Sequence, residues 1–304
     1  MNNFKIFSDS ASDLPKEWIM KYDVDIVPIY ITFDKGITYL RESVDITIDE
    51  LYDKLSVKGV YPKTSLPSVE DYAGKFRPYL EVGRDCFCVC LSSEFSGSYQ
   101  SAVTAATMLL EEFPERRIKV VDSRACTYSQ GLLIADIGEY RSEGKSIEEV
   151  YHLVESYKND YRFFFTLDTL EYLEKGGRIG KVAALAGSIL NIKPVIVFRD
   201  GTIFPHSRVR GRKKSIIEAV DLTAEFLKGK MNEYRIWALS SRFENDLKDM
   251  IAYAKEKGIH IMGIGKIGAA VTVYGGLGMI GFILIRNRPL VFAPDGACDG
   301  QPGV

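Results

Sequence analysis

The sequence predicts an α/β protein of two domains, with a parallel sheet in the N-terminal domain and a second α/β domain after it. The chain has 304 residues, about twice the roughly 150 residues of a typical single domain. Short β-rich runs alternate with helical segments, and parallel strands need such helical crossovers between them. A new block of strand and helix signals starts near residue 161. We therefore predict one domain at residues 1–160 and another at 161–304.

In the first domain, strand and helix signals follow one another in order. Apolar runs predict strands at residues 4–7, 26–33, 86–91 and 118–121. Ser12 and Pro15 indicate the start of a helix, and further helical stretches cover residues 99–112 and 130–142. Three pairs have the spacing of a capping box, in which each side chain bonds the other residue's backbone N–H group. These pairs are Thr47 with Glu50, Ser146 with Glu149 and, less clearly, Ser68 with Asp71.

The second domain shows the same kinds of signal. The aromatic run at residues 163–165 precedes a helical segment that ends at Gly176 and Gly177. Further strands are predicted at 194–198 and 235–239, and helices at 182–190, 213–227 and 244–256. The apolar stretch 271–285 is shorter than the roughly 18 residues that a membrane-spanning helix needs. Because it contains four glycines, we predict a buried strand and turn there, with residues 269–274 β-prone.

Charge and composition exclude several classes of protein. The formal net charge is −2, and charges of both signs are spread along the chain, so no surface for nucleic acid is expected. The first twelve residues lack the basic and apolar segments of a secretory signal, and we expect a cytoplasmic protein without a transmembrane segment.

The cysteines indicate a core strand. The chain has five cysteines and no CxxC pair, which argues against a disulfide framework and a zinc ribbon. Cys86, Cys88 and Cys90 alternate, so in a strand they face one side. Three thiolates on one face are a possible metal site, but free cysteine in a core strand usually behaves as a small hydrophobic residue. We expect reduced thiols and no metal.

Hydroxyl groups are concentrated in three turns that follow predicted strands or precede predicted helices. Residues 92–98, with four serines and Gly97, lie where an open α/β sheet places its ligand crevice. Residues 63–68 have the same character, and residues 8–13 form a third turn whose acidic groups suit it better to shaping the site. Backbone N–H groups at a helix start favour an anion, so the first two turns predict a carboxylate or phosphate site. Ordinary helix capping by serine is the alternative explanation.

Six segments in order along the chain closely resemble the motif series of the DegV family. They are Asp9-Ser10-Ala11-Ser12-Asp13-Leu14, Thr64-Ser65-Leu66-Pro67-Ser68, Leu91 to Tyr99, Asp168 to Leu173, Lys175-Gly176-Gly177-Arg178-Ile179 and Arg210-Gly211. The resemblance implies two α/β domains with a lipid tunnel between or beneath them. It also implies a carrier, not an enzyme, which binds a long-chain fatty acid of about 16 to 18 carbons. A separate fatty-acid kinase then phosphorylates the presented carboxylate, and no other cofactor is expected.

The resemblance also implies roles for individual residues. The family's carboxylate contacts correspond to Thr64 and Ser96, with Ser65, Ser93 and Gly97 as neighbours. Tyr274 stands where the family usually has a histidine. A phenol donates a hydrogen bond but carries no positive charge at neutral pH, so head-group affinity or kinase competence is expected to differ.

Two arginines are expected to serve the kinase or the acyl phosphate. Arg178 follows a glycine pair, and Arg210 belongs to a local basic cluster that includes Arg208, Arg212, Lys213 and Lys214. A guanidinium binds phosphate through two parallel hydrogen bonds. The alternative is a solvated helix face with one arginine paired to a nearby acid.

Two rival readings of the sequence remain. A serine hydrolase acting on acyl substrates would also need hydroxyls beside an apolar tunnel. Only His152, His206 and His260 are available as its base, and no G-x-S-x-G elbow is present.

Residues 263–268 match the G-x-G-x-x-G dinucleotide fingerprint. We expect no such site, because the following residues read as β-prone and the chain ends too early for a complete βαβ unit. No catalytic residue is assigned.

Overall fold

The computed structural model describes residues 4–34, 36–186, 191–242 and 244–288. The α-helices of this part are α1 (Lys16–Lys21), α2 (Ile48–Ser56), α3 (Val69–Glu81), α4 (Ser98–Glu112), α5 (Thr127–Ser142), α6 (Ile147–Tyr157), α7 (Glu171–Lys175), α8 (Arg212–Leu227), α9 (Glu244–Glu256) and α10 (Ala269–Gly275). The strands are β1 (Lys5–Asp9), β2 (Val24–Val27), β3 (Tyr30–Thr32), β4 (Leu40–Arg41), β5 (Lys63–Ser65), β6 (Cys86–Cys90), β7 (Ile118–Asp122), β8 (Tyr161–Thr166), β9 (Ile192–Arg199), β10 (Thr202–Arg210), β11 (Tyr234–Ser240), β12 (Gly263–Lys266) and β13 (Ile280–Arg286). Short 3-10 helices cover Ser10–Ser12, Gly180–Leu185 and Met231–Glu233.

The N-terminal sheet is parallel, as predicted. Its four strands have the order β2-β1-β6-β7, and every neighbouring pair is parallel. The three cysteines of β6 share one core face, whereas Phe87 and Val89 belong to the core on the other face. Burial raises the pKa of Cys86 to about 12, so this thiol is neutral at physiological pH. In the described residues no group of His, Cys, Asp or Glu side chains is arranged to hold a metal. The cysteines of β6 are therefore core residues.

The C-terminal sheet is mixed. Its six strands have the order β10-β9-β8-β13-β11-β12, and of its neighbouring pairs only β11 and β12 run parallel. The predicted boundary near residue 160 falls between the end of α6 and the start of β8. None of the described helices combines the length and the apolar composition that crossing a bilayer requires.

Strand β10 was not predicted from the sequence. It is an edge strand that alternates buried or half-buried residues with exposed polar ones such as His206 and Arg208, so its apolar content is low. It pairs with β9 through a hairpin whose turn residues Asp200 and Gly201 have φ angles of 51° and 83°. An Asp-Gly pair with two positive φ angles is typical of a type I′ hairpin turn. That dipeptide was the sequence signal for this hairpin.

The predicted strand at residues 26–33 is two strands in different sheets. It breaks at Pro28, which has no backbone N–H group to donate to a ladder. The part before the proline is β2 of the parallel sheet, and the part after it is β3, the centre of a small antiparallel sheet with the order β4-β3-β5. Ile31 faces Thr64 in this small sheet, and Tyr30 faces Ser65. The small sheet therefore fixes the position of the second hydroxyl-rich turn.

Two helix predictions in the second half need correction. The helix predicted at 182–190 is a 3-10 helix over Gly180–Leu185, and residues 187–190 lie outside the described part. Residues 269–274 are the helix α10 and not β-prone chain. Carboxylates from distant residues bind its first N–H groups: Asp13 Oδ2 accepts from Gly268 N at 2.7 Å and Glu42 Oε1 from Ala270 N at 2.9 Å. These contacts outweigh the β propensity of its β-branched residues.

The capping-box predictions are confirmed. In all three boxes the Ser or Thr side chain accepts from the backbone of the acidic residue and the acid accepts from the backbone of the Ser or Thr. The boxes start α2, α3 and α6. Because this interaction spans only four residues, the local sequence is enough to specify it.

Candidate functional site

A mainly apolar cavity lies between the two larger sheets. Its volume is about 210 Å³. Its apolar walls come from both halves of the chain. They include Leu91 and Phe95 at the end of β6, and Phe163, Phe165 and Phe198 in β8 and β9. The cavity therefore has the lining for an apolar ligand.

The polar groups that line the cavity belong to residues that were predicted from the sequence to bind a head group. Thr64, Ser65, Ser96 and Tyr274 all line it. The hydroxyls of Thr64 and Tyr274 are hydrogen-bonded to each other, with 2.7 Å between Oγ1 and Oη. The two hydroxyl-rich turns and the glycine-rich segment near residue 274 thus meet at one cavity, although Thr64 and Tyr274 are 210 residues apart in the chain.

Two of the predicted carboxylate residues have other positions. The Ser93 hydroxyl donates to Asp122 Oδ2 at 2.6 Å, and its backbone N–H donates to Asp122 Oδ1 at 3.2 Å. Ser93 lies in the turn after β6, is exposed and is absent from the cavity lining. Gly97 caps α4, and a Cβ atom there would lie 3.4 Å from the Leu66 side chain, which lines the cavity. Gly97 therefore lies beside Leu66 and does not itself line the cavity.

The two predicted partner-contact arginines are separated. Arg178 lines the cavity, and its guanidinium carbon lies 5.0 Å from the centroid of the Tyr274 ring. Arg210 is exposed at the end of β10. Its neighbour Arg212 is largely buried and pairs with Asp246, with 2.7 Å between Nε and Oδ2. The basic cluster is therefore divided into one structural ion pair and an exposed part that includes Arg208 and Arg210.

Buried acids hold the polar turns in place through contacts that could not be predicted from the sequence. Asp9, at the end of β1, is fully buried and accepts from Leu91 N at 2.8 Å, from the Ser98 hydroxyl at 2.7 Å and from Gln130 Nε2 at 2.9 Å. Burial raises the pKa of Asp9, and these hydrogen bonds oppose the rise. One carboxylate thus ties the start of the serine turn to the start of α4 and to α5. This fits the shaping role expected for residues 8–13.

Glu42 connects the small sheet to α10. It is 4% exposed, accepts from Ser10 and Ala270, and its pKa is raised to about 7, chiefly by burial. The ordinary pKa of a glutamate side chain is 4.5. At pH values between 4.5 and about 7, Glu42 therefore keeps its proton in the folded protein but has lost it in the unfolded chain. The stability contributed by Glu42 is therefore fully present below pH 4.5 and is lost as the pH rises through 7.

We expect Glu42→Gln to remove this pH dependence. The unfolding free energy of the variant, relative to the unchanged protein, should rise by roughly 3 kcal/mol between pH 4.5 and pH 8. Urea unfolding at pH 4.5, 6 and 8 measures it. Glu50→Gln is the control, because Glu50 is an exposed capping residue with a lowered pKa, and it should show no such rise. A Glu42→Gln difference that stays constant with pH would contradict the prediction.

The glycines of the G-x-G-x-x-G segment have structural explanations. A Cβ atom at Gly263 would overlap with the ring of Trp237, one at Gly265 with the ring of Tyr128, and one at Gly268 with the Asp13 carboxylate. The prediction that the residues after Gly268 are β-prone was wrong, since α10 begins directly after Gly268. A strand, β13, does follow α10, so the chain does not end too early for a βαβ unit. Such a unit is nevertheless absent at this segment, because β12 runs parallel to β11 and β13 runs antiparallel to it.

The histidines lie apart from the cavity. His152 in α6, His206 in β10 and His260 are exposed, and no histidine lines the cavity. Ser96 therefore has no histidine base beside it in the described structure, which removes the main support for the hydrolase reading.

Comparisons with known proteins point to one family. A sequence model described as the DegV family of uncharacterised proteins matches residues 3–287. A fatty acid-binding protein of Thermotoga maritima is 31% identical over 293 residues, covering 93% of this chain and 99% of that protein.

Two solved structures have the same fold. A stearic acid-binding protein from Eubacterium ventriosum has a TM-score of 0.88 and 36% identity, covering 93% of this chain and 98% of its own. A fatty acid-binding DegV family protein from Thermus thermophilus has a TM-score of 0.83 and 30% identity, covering 93% and 99%. Fatty acid binding is thus established for DegV family proteins that resemble this one. With a family match over nearly its whole length and these relatives, the chain belongs to the DegV family.

Proposed function

We propose that this protein binds a long-chain fatty acid in the cavity between its sheets, with the carboxylate at the hydroxyls of Thr64 and Ser96. The observation that carries the proposal is the distribution of polarity in the cavity. Its walls are mainly apolar, and the hydroxyls of Thr64, Ser65, Ser96 and Tyr274 come from the segments expected to hold a head group. Burying an acyl chain gains about 0.8 kcal/mol per CH₂ group, or about 12 kcal/mol for 16 to 18 carbons before the costs of binding.

Mass spectrometry of lipid extracted from the purified protein tests this proposal. A chain bound this tightly dissociates slowly, so we expect a straight-chain acid of about 16 to 18 carbons at close to one molecule per protein. Absence of lipid from the extract, together with no binding of added stearate, would refute the proposal.

The head-group hydroxyls can be tested with a matched pair of variants. Thr64→Ala and Ser96→Ala should each weaken stearate binding by about 1.5 to 3 kcal/mol, because each removes a hydrogen bond to a charged acceptor. Ser93→Ala is the control, since the Ser93 hydroxyl is directed to Asp122, and its stearate affinity should not change. Calorimetric titration measures all three. A loss of affinity in Ser93→Ala equal to that in Ser96→Ala would place the carboxylate elsewhere.

We further propose that the bound acid is presented in the cytoplasm to a separate fatty-acid kinase, which forms an acyl phosphate. The exposed arginines of β10 support this, because a basic surface attracts an acidic partner and a guanidinium binds phosphate bidentately. Arg210→Ala should keep stearate affinity and lose kinase-dependent acyl phosphate formation. Normal phosphorylation of stearate bound to Arg210→Ala would exclude Arg210 from that role.

A further inference from the structure

A second cavity lies at the carboxyl ends of strands β11 and β12, and we call it the β11–β12 crevice. Its volume is about 530 Å³, within the roughly 300–1,000 Å³ typical of small-molecule sites. The two strands run parallel and are joined through α9, and the chain then returns to β13 on the other side of β11. In open α/β sheets, ligands bind at the carboxyl ends of strands where the chain changes sides in this way. None of the described residues that line the crevice lines the cavity between the two larger sheets.

Ser240, the last residue of β11, brings a buried hydroxyl group to the crevice. It is 7% exposed and lines the crevice. Residues two apart in a strand share a face, and Ala238 packs in the same core cluster as Met250 of α9, so Ser240 lies on the α9 side of the sheet. Its side chain has no hydrogen-bond partner among the described residues. Because buried polar side chains nearly always have a partner, this hydroxyl indicates a ligand group in the crevice.

Helix α9 begins at the same place. Its residues Glu244, Leu247, Lys248 and Ile251 line the crevice. The backbone N–H groups of Glu244, Asn245 and Asp246 have no acceptor among the residues that the structure describes. Free N–H groups at a helix start, together with the positive end of the helix dipole, favour an anion and bind phosphate well. The hydroxyl of Ser240 adds a further donor beside them.

The charged side chains of the crevice leave room for such an anion. The cationic ones are Arg242, Lys248 and Lys266. Arg242 pairs with Asp53 at 2.9 Å, and Lys266 pairs with Asp49 at 3.1 Å, but the side chains of both aspartates are 73% exposed. The third acid, Glu244, is exposed as well. Ion pairs with such exposed partners contribute little, and a phosphate monoester with about two negative charges can replace the aspartates as their acceptor.

The rest of the crevice wall is apolar. Leu247 and Ile251 come from α9, and Ile264 comes from β12. Ile264 is 59% exposed, although most large aliphatic side chains in strands are covered. Tyr52 closes the wall, and its hydroxyl donates to the carbonyl oxygen of Ile267 at 2.7 Å. A ligand with a flat apolar group next to its phosphate therefore has apolar surface to cover.

We infer that the β11–β12 crevice binds a mononucleotide, with its phosphate at the start of α9 and its base against Ile251 and Ile264. The phosphate accepts hydrogen bonds from the free N–H groups of α9 and from the Ser240 hydroxyl, and it faces Arg242 and Lys266. This site goes beyond the proposed function and does not depend on it. It was not expected from the sequence, in which only the glycine pattern at residues 263–268 suggested a nucleotide.

Three ligands separate the contributions of the phosphate and the base. Calorimetric titration of the full-length protein with AMP, adenosine and inorganic phosphate measures each affinity. AMP should bind at least about 10-fold more tightly than either of the others, and saturating stearate should leave AMP affinity unchanged. Equal affinity for AMP and inorganic phosphate would indicate an adventitious ion only and would overturn the inference. Absence of AMP binding, or displacement of AMP by stearate, would also overturn it.

Two variants with matched controls place the ligand in the crevice. Ser240→Ala and Lys266→Gln should each weaken AMP binding by about 10-fold, since each removes a contact to a charged phosphate. Ser207→Ala and Lys257→Gln are the controls. The Ser207 hydroxyl donates to Glu218 and Lys257 pairs with Asp221, and neither residue lines the crevice.

Both controls should bind AMP as tightly as the unchanged protein. Stearate affinity should be the same in all four variants, because none of the changed residues lines the cavity between the sheets. Thermal unfolding shows whether each variant is folded. Unchanged AMP affinity in folded Ser240→Ala and Lys266→Gln would refute the assignment of the crevice.

Discussion

Replacing Ala270 with phenylalanine is expected to lower stearate affinity by nearly 1000-fold while the protein stays folded. Ala270 lies in the first turn of α10, is 5% exposed and lines the cavity. A benzyl group there occupies space for about five CH₂ groups of the ligand, and losing their burial costs about 4 kcal/mol. The ring enters empty space and not packed side chains, so the fold should tolerate it better than a typical core enlargement.

Titration of lipid-free protein with stearate measures the effect, and thermal unfolding reports whether the variant is folded. Ala270→Ser is the matched control, because it keeps the side chain small and should bind nearly as well as the unchanged protein. Stearate binding to a folded Ala270→Phe variant with unchanged affinity would show that the ligand occupies another site.

Replacing Asp9 with alanine is expected to lower the free energy of unfolding by about 4 kcal/mol. The change removes three buried hydrogen bonds to a carboxylate, from the N–H of Leu91, the hydroxyl of Ser98 and the amide of Gln130. A hydrogen bond to a charged group contributes about 1.5 to 3 kcal/mol. The Gln130 amide keeps Ser8 and Val89 as acceptors, and the Ser98 hydroxyl keeps its bond to Tyr72, which limits the loss. Relief from burying the carboxylate, which raises the pKa of Asp9, offsets part of the sum. The loss should also loosen the serine turn at the cavity.

Asp122→Ala provides the comparison for Asp9→Ala. Asp122 ends β7 as Asp9 ends β1, and it too accepts from the turn after β6, but its partner Ser93 is exposed. Water can replace the lost acceptor there, so we expect a change of about 1 kcal/mol or less. Urea unfolding of both variants gives the two values. Similar losses of stability in the two variants would contradict the prediction that the buried hydrogen bonds of Asp9 contribute more to stability than the exposed ones of Asp122.

Local sequence signals were enough for several parts of this structure. The alternation of strands and helices predicted the parallel sheet of the first domain, and the spacing of Ser or Thr and acid predicted the starts of α2, α3 and α6. The alternation of cysteines in β6 predicted one core face. Each of these features arises from contacts within a few residues or from the two-residue period of a strand.

The hydroxyl-rich turns show the limit of such signals. Ser93 and Ser96 are three residues apart in the same turn and have the same side chain, yet Ser96 lines the cavity and Ser93 bonds to Asp122. The sequence located the turn after β6. Ser93 is directed to Asp122, the last residue of the neighbouring strand β7, which accepts hydrogen bonds from its hydroxyl and its backbone N–H. This contact decides which of the two hydroxyls lines the cavity.

Tertiary structure also decided the helix that carries Tyr274. Its β-branched residues favour a strand, but Glu42 and Asp13, 228 and 255 residues before their partners in the chain, accept hydrogen bonds from its first turn. The sequence alone determined the family resemblance, the parallel sheet and the turns that supply the hydroxyls. The tertiary structure decided which hydroxyls meet, where Arg178 lies and why residues 269–275 are helical. The reason is that local signals depend on neighbours in the chain, whereas a cavity is formed by residues whose proximity exists only after both sheets have packed.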